Sequence, residues 1–258
     1  MRFICSGALI TESMVLTAAH CLTDSEGNLN TNSLTATFDI NSFNGIGYYV
    51  HANWQGDKTT ASLFAGADIA IVELDRAVNS SINRYKISTS LSAYFDRAGY
   101  GKHGTGDTGA TAYDGKLRLG QNVYELLYDT YLLGYDFDNG TATNNTINLL
   151  GYMSDTGLPG AKETLAASGD SGGPTFDVDG NIIGVSSFVA QYGVGDIDAT
   201  LNSSYGEVGY DTIAYSYSDW LGAIAGASIF VSVPEASVNF ALLAIGIGIY
   251  LTGKKSNP

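Results

Sequence analysis

Residues 169–174 read Gly-Asp-Ser-Gly-Gly-Pro, and all three histidines of the chain, His20, His51 and His103, stand before the serine of that run. A serine on a glycine-flanked turn exposes its hydroxyl, which becomes a nucleophile when an imidazole is in reach to take its proton. The spacing also satisfies the Gly-x-Ser-x-Gly elbow of the α/β-hydrolases, but that arrangement needs its histidine after the serine. An aspartate-histidine-serine order needs an aspartate ahead of the histidine. None precedes His20, so that order is rescued only with His51 or His103, neither of which sits in a recognisable context. The order that fits most directly is histidine, aspartate, serine.

The 258 residues are enough for one large all-β domain or two smaller units. Thirty-two glycines and 17 tyrosines, with only 15% charged residues, describe a turn-rich globular chain built from strands. A net charge of -14 repels phosphate backbones and argues against nucleic acid as a partner; a solvated acidic surface accounts for it. Cys5 and Cys21 are the only cysteines. Two thiols without further ligands make a poor zinc site, and no metal is expected. They suit one bridge in an oxidising compartment, and a reduced buried pair is the alternative. Gly99, Gly101 and Gly104 have dinucleotide-loop spacing, but no helix pattern follows, so no cofactor is expected.

Apolar and β-branched residues on either side of Thr11-Glu12-Ser13 predict a pair of strands, SGALI and MVLTAAH. Further strands are expected at 34–40, 46–51, 69–74, 123–133, 145–152, 174–178 and 181–189, separated by Asn/Gly/Asp turns. The Gly/Thr-rich stretch 99–115 is expected to be an exposed connection between two halves, and a helix-compatible segment follows Trp220.

His20 lies in Leu-Thr-Ala-Ala-His-Cys, where small neighbours let the ring pack beside a strand end. Asp68 opens the apolar segment Asp-Ile-Ala-Ile-Val-Glu-Leu, and a partly buried carboxylate there would hold the imidazole tautomer. Together, VLTAAHC, ADIAIVEL and GDSGGP, in that order, resemble the trypsin/chymotrypsin family of serine proteases over most of residues 3–225. The resemblance implies two packed six-stranded antiparallel β-barrels, an N-terminal one over about 1–105 and a C-terminal one over about 106–225, with the first strand truncated and a C-terminal helix after the second barrel. It implies Ser171 as nucleophile, His20 as base, Asp68 as its orienting acid, and the N–H groups of Gly169 and Ser171 as an oxyanion hole. It also implies a Cys5–Cys21 bridge flanking the histidine loop. Leu165, Ser187, Phe188, Val189 and Gly209 would border the substrate, a protein or peptide. With Leu165 at the pocket base, where a Lys/Arg-specific enzyme carries an aspartate, the expected P1 side chain is uncharged and modest in size.

Two departures stand out. In the family a freshly cut amine pairs with the aspartate next to the nucleophile, whereas the amine of Met1 lies too near Cys5 to reach Asp170, so the polypeptide is expected to begin upstream, the rival being an enzyme that satisfies Asp170 internally. The other is the tail. Val233-Pro234-Glu235-Ala236-Ser237, an uncharged apolar run at 240–252 and two lysines resemble the PEP-CTERM sorting signal of Gram-negative bacteria, a substrate of exosortase. Residues 226–258 are accordingly expected to be a linker plus sorting tail, membrane-associated through a helix over 238–252. As a helix the apolar run is about 20 Å long against a bilayer core of roughly 30 Å. The protein is expected to be exported, at the cell envelope or outside it. The competing reading is a catalytically inactive binding module on the same scaffold.

Overall fold

A computed structural model describes residues 2–152, 158, 163–232 and 249–255. The first half contributes β1 (Arg2–Leu9), β2 (Met14–Thr17), β3 (Thr31–Phe38), β4 (Asn41–Val50), the short helix α1 (Thr60–Phe64) and β5 (Ala70–Leu74). The middle of the chain supplies β6 (Ile87–Ser88), β7 (Tyr94–Gly99), the hairpin β8 (His103–Thr105) and β9 (Gly109–Ala112), β10 (Arg118–Val123), β11 (Leu126–Tyr128), β12 (Leu132–Asp136) and helix α2 (Thr146–Leu149). Then follow β13 (Pro174–Phe176), β14 (Ile182–Ala190), β15 (Val208–Ile213), helix α3 (Ser218–Ala225), β16 (Phe230–Val231) and β17 (Ile249–Lys255).

Six of these strands close a barrel in the order β1-β17-β3-β4-β5-β2. Its pattern is legible in the residues. In β3, Leu34, Ala36 and Phe38 are buried and alternate with more exposed positions, the period of a strand with one face on a core. In β2 and β5, Val15, Leu16, Ile71 and Val72 are all buried, as expected of strands covered on both faces. Ala98, Phe176, Ile182 and Val185 from the other half join the same apolar cluster, so the barrel core and the seam between the halves are continuous.

The second half is a nine-stranded sheet whose main path, β10-β7-β13-β14-β15-β12-β11, stays open, with β6 attached at β14 and β16 at β6. It is a half-barrel where a second closed barrel was expected. It also begins earlier than residue 106, because β6 and β7 already belong to it, and the segment expected as an open connection carries the β8–β9 hairpin. Around 145–152 a strand was expected, but the Asn145 side chain accepts from the Asn148 N–H at 2.8 Å and caps α2. An Asn at that position offers the backbone a helix start that outweighs the local apolar pattern. The strand expected over 123–133 is broken into β11 and β12 around Asp129, at φ 55°.

The buried Arg97 on β7 ties this half together. It donates to Asp211 on β15 at 2.9 Å, to the Tyr135 hydroxyl on β12 at 2.6 Å and to the Ser186 hydroxyl on β14 at 2.6 Å. Tyr124 donates to Asp211 at 2.6 Å from a fourth direction.

The tail departs most from expectation. Most of the helix expected over 238–252 lies outside the described residues, but Ile249–Thr252 are extended, not helical: they form β17, which pairs with β1 from Gly7↔Ile249 to Arg2↔Lys254 and with β3 from Thr37↔Tyr250 to Thr31↔Lys255. The strand expected to be lacking from the barrel is thus supplied from the other end of the described chain. Ile-Tyr-Leu-Thr has high strand propensity, and the facing edges of β1 and β3 would otherwise carry unpaired N–H and C=O groups. Leu251 is fully buried in the barrel. Among the described residues no helix is long and apolar enough to cross a membrane.

Cys5 on β1 and Cys21 form a disulfide across 16 residues of sequence. Closing a loop of this size restricts the unfolded chain by about 3 kcal/mol. The C5A/C21A double variant is expected to lose stability by about that amount in urea titration. The reduced wild-type protein is expected to fall to the same level.

Candidate active site

His20 sits on a single helical turn, Ala19–Cys21, that leaves the end of β2. Asp68 stands just before β5, after Ala67 in the left-handed region at φ 63°. That unusual backbone is held by the Tyr217 hydroxyl, which accepts from the Ala67 N–H at 2.6 Å. Its result is a fully buried carboxylate with both oxygens aimed at the histidine turn. Oδ1 accepts from the His20 N–H at 2.8 Å, and Oδ2 lies 2.7 Å from His20 Nδ1. Oδ2 also accepts from the Ser187 hydroxyl at 2.5 Å. The Asp68 carbonyl accepts from the Thr212 hydroxyl at 3.2 Å.

Ser171 stands in a turn set by Asp170 N–H to Ala167 O and Gly173 N–H to Asp170 O, both at 2.8 Å. Gly172 follows at φ 77°, so close to β2 that a Cβ there would lie 2.1 Å from the Thr17 hydroxyl oxygen. Two neighbouring residues of β1 fasten the two loops. Cys5 binds Cys21 beside His20, while Ser6 donates its N–H to Ser171 O at 2.8 Å and its hydroxyl to Gly169 O at 2.9 Å. The Cys21 sulfur lies 3.9 Å from His20 Nε2 and 3.7 Å from Ser171 O. The histidine and serine loops therefore meet at the same point of the seam. Neither the Gly169 nor the Ser171 N–H is engaged by another group among the described residues.

Burial works against the imidazolium of His20, but the charge and hydrogen bond of Asp68, helped by Asp57, outweigh it and hold its pKa above the ordinary value. Burial likewise works against the Asp68 carboxylate; His20 and the Ser187 hydroxyl overcome it and keep that pKa below the usual carboxylate range. Asp170, for which the sequence offered no partner, accepts from the Ala167 N–H at 2.9 Å and the Gly101 N–H at 2.8 Å. Burial pushes its pKa up, while those two amides and the fields of Arg97 and Arg118 pull it back. Glycine at 99 and 101 makes room for it: a Cβ on Gly99 would lie 2.0 Å from Asp170 Oδ1.

A cavity of about 320 Å³ opens at Ser171 and is lined by Ser187, Phe188 and Val189, with Ala166 and Ser168 among its walls. Leu165 and Gly209, expected to border it, do not line it. They pack on each other and on the buried Tyr135 ring, which a Cβ on Gly209 would meet at 2.3 Å. Leu165 instead faces a second cavity, of about 390 Å³, shared with Asp170 and Glu163. Burial pushes the pKa of Glu163 up to about 8. Its carboxylate accepts from the N–H groups of Asp138 and Leu158. Phe188 stacks on Tyr210 with centroids 4.8 Å apart and meets Phe64 edge-on at 5.2 Å.

The sequence reading missed Tyr217 and Glu207, and it placed Ser187 at the substrate without its bond to Asp68. That bond was foreshadowed by two serines in an otherwise apolar strand, since a buried hydroxyl needs a partner. Tyr217 had no local signal. Glu207, whose carboxylate accepts from the N–H groups of Asn202 and Ser203 at 2.7 and 3.0 Å, lines the cavity at Ser171 from a segment that reads as a turn. Away from the site, His51 packs on Tyr217 and Trp220, and His103 lies 3.9 Å from Asp114.

The family model for Trypsin matches residues 2–204. A trypsin of Phaedon cochleariae is 30% identical over 198 residues, 73% of this chain and 69% of that protein. Granzyme M of Rattus norvegicus is 26% identical over 231 residues, 86% of this chain and 80% of its own. Among solved structures, HL collagenase superposes with a TM-score of 0.54 at 18% identity over 86% of each chain, a likeness of fold.

Two outcomes follow from this geometry. In an NMR titration the His20 ring is expected to titrate above the usual value of about 6.5. Asp68→Asn should bring it below that value, because burial, the largest influence, is then opposed only by the weaker field of Asp57. Gly99→Ala should cost about 1–3 kcal/mol of stability, measured by denaturant unfolding, as the new methyl and the Asp170 carboxylate compete for one volume.

Proposed function

This chain belongs to the trypsin family, and on that premise we propose that it is a serine endopeptidase acting through Ser171, His20 and Asp68. As the Ser171 oxygen bonds to the scissile carbonyl carbon, its proton passes to His20 Nε2 and the carbonyl oxygen takes up the negative charge. The N–H groups of Gly169 and Ser171, unengaged among the described residues, are the donors for that oxyanion. The C–N bond then breaks, His20 returns the proton to the leaving amine, and a water activated by the same ring hydrolyses the acyl-enzyme. Asp68 remains ionised and holds the Nδ1–H tautomer. The observation that carries this reading is the Asp68 carboxylate, sealed from solvent and bonded to His20 twice and to Ser187 once.

For specificity, the reading is an uncharged P1 side chain of modest size. Leu165 and Tyr135 fill the volume beyond Gly209, Val189 narrows the opening, and the Glu207 carboxylate is already taken up by backbone amides. Export is the companion reading, supported by the disulfide, since such bonds persist in oxidising compartments. A tail inserted in a bilayer and a tail paired to β1 and β3 are alternatives for the same residues, and the barrel arrangement favours the second.

Two observations favour the inactive binding module. Among the described residues the Ser171 hydroxyl and His20 Nε2 are not joined by a hydrogen bond, and Asp170 is anchored by amides with no direct ion pair. A fluorophosphonate probe separates the two readings. Labelling of Ser171 in the wild-type chain, lost in Ser171→Ala, is expected. Asp68→Asn should lower kcat about 10⁴-fold. An unlabelled wild-type protein would leave the binding module. A P1 library should favour uncharged residues, and strong Lys or Arg preference would overturn the specificity reading.

A further inference from the structure

β17 ends beside the histidine. Its last residue, Lys255, pairs with Thr31 on β3, and its ammonium donates to the carbonyl of His20 at 2.9 Å and to the carbonyl of Thr23. These two carbonyls lie at the C-terminal side of the turn that carries the imidazole, one of them on His20 itself. The stem crosses Phe3 of β1, with the ammonium 5.5 Å from the ring centroid. One side chain therefore ties the turn to a strand that is otherwise remote from it in sequence. The same turn is also held by the Asp68 bond to the His20 N–H and by the Cys5–Cys21 bridge.

We propose that Lys255 is a positioning residue for His20, so that strand β17 is a working part of the active site as well as the sixth stave of the barrel. The inference rests on the serine endopeptidase reading for its kinetic consequence, but its structural consequence stands without it. Two effects follow. The ammonium holds the backbone of His20 in place while Asp68 holds the ring, so loss of Lys255 lets the ring shift relative to Ser171. Its charge also opposes the imidazolium. The charged groups that act on His20 are Asp68, before β5, Asp57, in the loop after β4, and Lys255, on β17. Asp24, beyond the histidine turn, acts on Lys255 together with Asp57 and Asp68. Removing the ammonium leaves the two carboxylates unopposed at the ring.

The test compares Lys255→Met and Lys255→Arg in the full chain. His20 in Lys255→Met should titrate higher than in wild type by roughly 0.3–0.5 pH unit, the field of one nearby partly exposed charge. Its kcat should fall about tenfold with KM unchanged, as expected for a misplaced catalytic ring. Lys255→Arg, which keeps the charge and donors, should restore both. The NMR titration is read whether or not the protein is active, so an unlabelled wild-type chain speaks against the endopeptidase and an unmoved His20 titration speaks against Lys255. Equal titrations of wild type and Lys255→Met would overturn the inference, as would an unchanged kcat in Lys255→Met when the wild-type chain is active.

Discussion

The Asp68 carboxylate is the interaction on which the two halves of this protein agree. A buried carboxylate is costly unless every lone pair has a partner. Here the partners come from the histidine turn of the barrel and from Ser187 on β14 of the open sheet. Thr212 on β15 adds a bond to the same residue's carbonyl. Separating the halves would strip the charge of the Ser187 hydroxyl before water could replace it. The site is therefore a condition of the seam as much as a product of it.

A second buried charge organises the open sheet from within. Arg97 and Asp211 are paired across strands that are not neighbours, and Tyr124, Tyr135 and Ser186 occupy remaining positions around them. Such a cluster is a weak source of net stability but a strong source of register, because no slipped pairing of β7, β14 and β15 would satisfy it. Register matters here: Ser186 and Ser187 are adjacent, one bonded to Arg97 and the other to Asp68. The two buried charges thus hold one strand at consecutive residues.

Much of this was legible in the chain because catalysis of this kind concentrates its signal in short segments. The histidine, aspartate and serine segments, their order and the two cysteines carried the fold expectation. What escaped notice depends on distant pairings. The strand identity of Ile249–Lys255 is settled by the edges of β1 and β3, since the uncharged apolar run at 240–252 reads as a helix in the sequence despite the strand propensity of its last residues. Asp170 found its donors in backbone amides, which no residue type advertises. The cap of α2 was the reverse case: a single Asn side chain overrode an apolar run. Leu165 and Gly209 pack on each other and on the buried Tyr135 of β12, away from the cavity wall expected of them.

The fastening of both reactive loops to Cys5 and Ser6 has a mechanical consequence. Adjacent Cα atoms across a trans peptide stand about 3.8 Å apart, a spacing that thermal motion barely alters. Cys5 carries the histidine loop and Ser6 the serine loop, so the gap between base and nucleophile is gauged by one rigid peptide unit. Sliding of one half over the other would then be absorbed in the loops beyond these anchors, and the alignment tolerance of the pair would stay below that of the seam it spans.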